Sequence, residues 1–172
     1  MTGHPHSSRT ERDTTAQKGH ERSHHAHPYR LLLIMAALHF AAMFVLMYSM
    51  VDTAADVYPN LNQVFMAGTM TAPMLLLELV LMRSMYRHRQ LNGVVALASV
   101  AVLVAFFLAI RFQSGIGDRQ FLKSMIPHHS GAILMCREAN LDDVEIRELC
   151  RSIAEGQQQE IDQMRAILQR LD

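Results

Sequence analysis

Residues 31–51 read LLLIMAALHFAAMFVLMYSMV and run without a charge from Arg30 to Asp52. A bilayer crossing needs about 20 mostly apolar residues, so this stretch predicts a transmembrane helix. Outward from it lie two more of the same kind. Leu61 to Met82 carries a single charge, Glu78, and a third run between Arg89 and Arg111 has its core in Val94–Ile110. One such run would suit a buried core helix, but three in succession with charged borders predict a three-span membrane domain over residues 31–112. The first run is full length and follows thirty polar residues, which fits poorly with a cleavable signal peptide. With 16 basic and 16 acidic side chains in 172 residues, the chain lacks the basic excess of a nucleic-acid binder. The partner to expect from these runs is a lipid bilayer, with no nucleic acid.

The Lys/Arg bias of short loops sets orientation. Residues 1–30 contain Arg9, Arg12, Lys18, Arg22 and Arg30, and the loop 83–92 contains Arg83, Arg87 and Arg89. The loop 52–60 has no basic residue and two acids, Asp52 and Asp56. The expectation is a cytoplasmic N-terminus and an extracytoplasmic C-terminal segment, periplasmic in the inner membrane of a Gram-negative bacterium. Arg119 and Lys123, close to the last span, dilute that signal.

Residues 1–30 form a polar tail holding His4, His6, His20, His24, His25 and His27, a composition that predicts disorder. Histidine-rich tracts can bind metal. After loss of Met1, the terminus Thr2-Gly3-His4 would suit square-planar Cu(II) or Ni(II). The plainer expectation is a solvated tail.

Within the apolar runs, Met35, His39, Met43 and Met47 recur every four residues with Met50 beyond them, and Met66, Met70, Met74, Glu78 and Met82 do the same. Such spacing stacks side chains along one helical face. Thioethers are soft donors for Cu(I), yet methionine is also a flexible filler between helices, and packing is the expectation here. His39 and Glu78, being ionisable inside a membrane, call for partners or a function.

Residues 113–172 are soluble in character and predict a helical hairpin. One helical pattern runs from Asp118, a plausible N-cap, to about Asn140, with Phe121, Met125, His128, Ala132 and Met135 on one face. Pro127 should kink or loosen it. The second helix starts near Asp142 or Asp143 and carries the stripe Ile146, Leu149, Ile153, Gln157, Glu160, Met164 and Leu168 or Leu171. With a turn near Leu141, Met125 falls level with Gln157, His128 and His129 near Ile153 and Ala154, Glu160 near Leu122, and Met164 near Asp118. Buried polar groups need partners. A metal ion would serve several of them, and so would a hydrogen-bonded His–Glu–Gln network.

The run Gly117-Asp-Arg-Gln-Phe-Leu-Lys-Ser-Met-Ile-Pro-His-His-Ser-Gly-Ala-Ile-Leu-Met135 resembles the signature of the bacterial family called domain of unknown function 305. Gln157-Gln-Gln-Glu160-Ile-Asp-Gln-Met164 is similar to that family's second motif. The two motifs lie in the right order within residues 116–172, and three preceding spans resemble the family's membrane-anchored branch. The resemblance implies a ferritin-like helical fold and copper binding through Met and His, often serving copper tolerance or trafficking. Carried over by position, it implies Met125, His128, His129, Met135 and Met164 as metal ligands, with Gln157, Glu160 and Asp118 at motif positions of less certain role. Cys136 and Cys150 depart from the small apolar residues expected there.

The expected function is Cu(I) capture, buffering or trafficking, with other soft or transition metals as further ligands. The alternative is an interaction protein whose His pair only packs. Glu160 is followed at the third position by Gln163 rather than the His of a di-iron bundle. No nucleophile–base set, phosphate loop or dinucleotide fingerprint appears, so no enzyme is expected. A hairpin of about 55 residues is small for an independent core, which predicts a homodimer or higher homo-oligomer. Outside the cytoplasm two cysteines favour a disulfide, and an intrachain bridge would clamp the hairpin. The assumed turn, however, sets Cys136 level with Ile146 rather than Cys150. An interchain bridge or thiols added to the metal site are the alternatives.

Overall fold

The computed structural model describes residues 28–171, so the His-rich tail expected over 1–30, with its Thr2-Gly3-His4 terminus, lies almost wholly outside the described residues. Five helices and no strand are found among the described residues. Helix α1 covers 28–46 and tightens into a 3₁₀ turn at Met47–Met50. Then follow α2 (Leu61–Leu81), α3 (Arg89–Arg111), α4 (Asp118–Glu138) and α5 (Val144–Leu171). The fold is all-α, three long apolar helices followed by a helical hairpin, as the sequence predicts.

Pro28–Met50, Leu61–Leu81 and Arg89–Arg111 are each long and apolar enough to cross a membrane. Their large side chains point outward: Leu33 is 67% exposed, Val80 68% and Leu97 72%. In water such a surface would be costly, whereas against lipid tails it has its natural solvent. At one end the three helices are pinned together by Leu32, Leu79 and Tyr86. The Tyr29 hydroxyl donates to Asn92 Oδ1 at 2.6 Å, and Asn92 Nδ2 donates to the Tyr86 carbonyl at 2.7 Å. Glu78 finds its partner here, accepting from the Tyr86 hydroxyl at 3.5 Å. Gly68 is buried where α2 meets α3, and a methyl group there would overlap the ring of Phe106.

At the opposite end the hairpin docks on the connection 51–60, which the apolar-run pattern puts on the same side as the segment after α3. The core of the hairpin consists of Leu122 and Ile126 of α4 against Ile161, Met164 and Leu168 of α5. Asp143 Oδ1 accepts from the Ile146 amide at 3.1 Å and starts α5, close to the expected position.

Register and facing differ from the sequence expectation. Residues 139–143 connect the helices, centred on Leu141 as expected. Yet Cys136 faces Cys150 rather than Ile146, and His129 faces Glu160 rather than Ile153 and Ala154. Ala139 leaves α4 in an extended conformation (φ −69°, ψ 131°), so the chain advances before α5 begins. That shifts the pairing toward the C-terminus by a few residues. Met164 consequently packs in the Leu122–Ile126 cluster, with Met125 at its edge, instead of beside Asp118. The face of α4 turned to α5 holds 122, 126, 129 and 133; the expected 121–125–128–132–135 face turns elsewhere. Phe121 is half exposed, and Ile146 and Leu149 of the expected α5 stripe are exposed as well. An amphipathic pattern identifies an apolar face but not which of two neighbours covers it.

Candidate metal centre

Pro127 has no amide hydrogen, so the Lys123 carbonyl one turn back loses its intrahelical donor. α4 nonetheless runs helically through Pro127, because Asn60 Nδ2 donates to that carbonyl at 3.3 Å. Asn60 also caps α2, its Oδ1 accepting from the Gln63 amide at 2.9 Å. One residue thus starts an apolar helix and repairs the signature helix.

Just beyond the two signature histidines, Ser130 is fully buried. Its hydroxyl accepts from the Asp52 amide and donates to Asp56 Oδ2, both at 2.7 Å. Asp56, also buried, accepts from Thr53 Oγ1 at 2.9 Å and pairs with Arg165 of α5 at 2.5 Å. Arg137 reaches Asp52 at 2.7 Å. At Gly131 an added Cβ would lie 3.1 Å from the Met50 carbonyl, so glycine permits the close approach. The Ser130-Gly131 pair therefore holds the loop 51–60 against α4, and Arg165 ties α5 to the same loop.

This docking divides the expected ligands into two groups. Met125, His128 and Met135 line a cavity of about 630 Å³ between α4 and the near ends of α1, α2 and α3. Met47, Met50 and Met66 line it too. His129, Glu160 and Met164 belong to the α4–α5 interface. There His129 Nδ1 lies 3.1 Å from Glu160 Oε2, within ion-pair range. The approach is not aligned as a hydrogen bond, and Nδ1 remains buried without an aligned partner. Burial pushes the His129 imidazole below its usual range, the Glu160 carboxylate opposes this, and His128 adds to the fall. The direction of that shift favours the neutral ring, the form that binds metals. Met125 touches both groups. Gln157 is half-buried in α5 and does not line the cavity.

Cys136 and Cys150 are bridged within the hairpin, with Cα atoms 5.2 Å apart. Neither the interchain bridge nor a thiol donor is left open, since no cysteine is free. Among the described residues no group of three or more His, Cys, Asp or Glu could hold a metal ion. Thioethers beside one or two imidazoles are a donor set for soft ions.

Residues 81–168 match the family model described as Domain of unknown function (DUF305), which takes in both motifs and every expected ligand. The chain belongs to the DUF305 family. The match begins at residue 81, ahead of the stretch from 116 that carries the motifs, and so includes α3. "Uncharacterized protein L153" of Acanthamoeba polyphaga mimivirus is 31% identical over 140 residues, covering 80% of this chain and 90% of the relative. No solved structure matches this DUF305 protein significantly.

Sequence reasoning overlooked the docking residues. Asp52 and Asp56 drew notice only as acids that orient the loop, and Pro127 only as a kink. The signal for Asn60 was available in Pro127, because a mid-helix proline always leaves a carbonyl to be satisfied.

Proposed function

We propose that this protein is a membrane-anchored Cu(I)-binding protein that captures the ion, then buffers it or passes it on. The observation that carries this is the convergence of Met125, His128 and Met135 of the family signature on one cavity. Two thioethers and an imidazole suit Cu(I) better than Zn(II) or Mg(II). His129 stands behind them with its Nδ1 buried and unaligned, either a further ligand or the orienting neighbour of His128, whose ring centroid is 5.9 Å away. Glu160 would fix that ring. Gln157 does not line the cavity and is not needed for this reading.

The bilayer anchor is the three apolar helices. The loop charges favour a cytoplasmic N-terminus, and the Cys136–Cys150 bridge favours an oxidising compartment for the hairpin, hence the outer face of a bacterial inner membrane. A homodimer or larger homo-oligomer would cover the exposed Val144, Ile146 and Leu149 of α5. A ferritin-like four-helix unit would arise if two hairpins pair along that surface.

The test is a Cu(I) competition titration of the purified membrane protein against a chromogenic Cu(I) chelator. Wild type should bind Cu(I), and His128→Ala combined with Met125→Leu should lose at least tenfold in affinity. Wild-type protein that takes no Cu(I) from the chelator at any ratio would dismiss copper binding in favour of a docking role.

A further inference from the structure

The cavity beneath α4 is not lined by the hairpin alone. Met47 and Met50 come from the 3₁₀ turn that ends the first apolar helix, and Met66 from the second turn of α2. We propose that these three thioethers complete the copper site, so that the ion is held between the hairpin and the membrane helices rather than on the hairpin alone. This rests on the Cu(I) function proposed above and names the part of the chain that shares its load. The ligand class is a soft monovalent d¹⁰ cation, Cu(I) or its analogue Ag(I).

Composition, position and mobility all favour this site. Five methionines and one histidine line a single cavity, in a chain that holds 13 methionines in 172 residues. A gap-filling role would leave their side chains packed. Instead Met50 is 53% exposed and Met66 46% exposed, each beside the cavity that Met125, His128 and Met135 line from the other side. A cavity of about 630 Å³ also leaves the sulfurs free to converge. Methionine has three rotatable bonds before its methyl group, so its thioether can turn toward a soft ion in the cavity. The backbone itself is held at the right place by the Asp52–Ser130 and Asn60–Lys123 hydrogen bonds and by the close contact of Gly131 with the Met50 carbonyl. The docking contacts fix the spacing between the two halves of the donor set.

The same geometry separates this site from a hairpin-only site. Met164 and His129 lie in the α4–α5 interface, away from Met47, Met50 and Met66. A hairpin-only site would use Met125 with either His128 and Met135 or that interface pair, and leave the methionines of the apolar helices untouched.

Residue-resolved methionine oxidation of the full chain in nanodiscs, with Ag(I) as the probe, distinguishes the two. Ag(I) has the softness of Cu(I) without its redox chemistry, so dilute peroxide reports only on free thioethers. Saturating Ag(I) should slow oxidation of Met50 and Met66 at least tenfold, together with Met125 and Met135. Met85, 44% exposed in the connection after α2, should be unaffected. The variant Met47→Leu/Met50→Leu/Met66→Leu should bind Ag(I) at least tenfold more weakly, while its Asp52 amide exchanges as slowly as in wild type. Protection of Met125 and Met135 with unchanged oxidation at Met47, Met50 and Met66 would overturn the shared site and leave copper binding by the hairpin standing. No protection at any methionine would overturn both.

Discussion

Replacing Asp56 by alanine should release the hairpin from the loop 51–60. The carboxylate is 6% exposed and accepts from Thr53, Ser130 and Arg165. Removing one partner of a buried ion pair costs about 3–5 kcal/mol. Arg165 is 30% exposed and has Asp162 within 3.8 Å as a weak second partner, so the lower end applies, about 3 kcal/mol. At 1.4 kcal/mol per decade that is roughly a hundredfold shift in the docking equilibrium. The amide of Asp52 reports it directly, because its hydrogen is held by Ser130 Oγ at 2.7 Å. Hydrogen exchange in nanodiscs should show the Asp52 amide opening about a hundredfold faster in Asp56→Ala, with the Ile161 amide in the hairpin core little changed. Asp56→Asn, which keeps an acceptor for Ser130 and Thr53 but loses the charge, should fall between. An Asp52 amide that exchanges at the wild-type rate in Asp56→Ala would refute the clamp.

Other outcomes follow from the same contacts. Cys136→Ser/Cys150→Ser should lower hairpin stability by about 3 kcal/mol, the value for closing a loop of this order; thermal melting measures it, and wild type should run as a monomer without free thiol on non-reducing electrophoresis. Asn60→Ala should cost about 1–3 kcal/mol by leaving the Lys123 carbonyl unsatisfied, whereas Asn60→Ala combined with Pro127→Ala should recover part of that loss. Gly131→Ala should weaken docking, since its Cβ meets the Met50 carbonyl at 3.1 Å, and the Asp52 amide again reads it. A reporter active only outside the cytoplasm should be active when fused after the hairpin and silent in the loop 83–92.

The apolar helices were legible because length and charge borders are one-dimensional properties. The expected third run, between Arg89 and Arg111, became α3 at those same residues. The hairpin was legible for a similar reason, its turn falling around Leu141. Its register was not, since a few residues of extended chain at Ala139 move every facing pair while leaving the periodicity intact. The division of ligands was hidden for a different cause. Positions 125, 128 and 135 and positions 122, 126 and 129 are both favourable stripes on α4. Only the arrival of the loop 51–60, some 75 residues earlier in the chain and anchored at Ser130, decides which stripe meets α5. A single-helix pattern cannot contain that contact.

The most direct measurement of the central claim is a Cu(I) competition titration on wild type, on Met125→Leu/His128→Ala, and on His129→Ala. Cu(I) bound by wild type, with the cavity pair of substitutions weakening it at least tenfold and more than His129→Ala does, is the predicted result. Wild-type protein that binds no Cu(I), or a Met125→Leu/His128→Ala protein that binds it as tightly as wild type, would contradict the account.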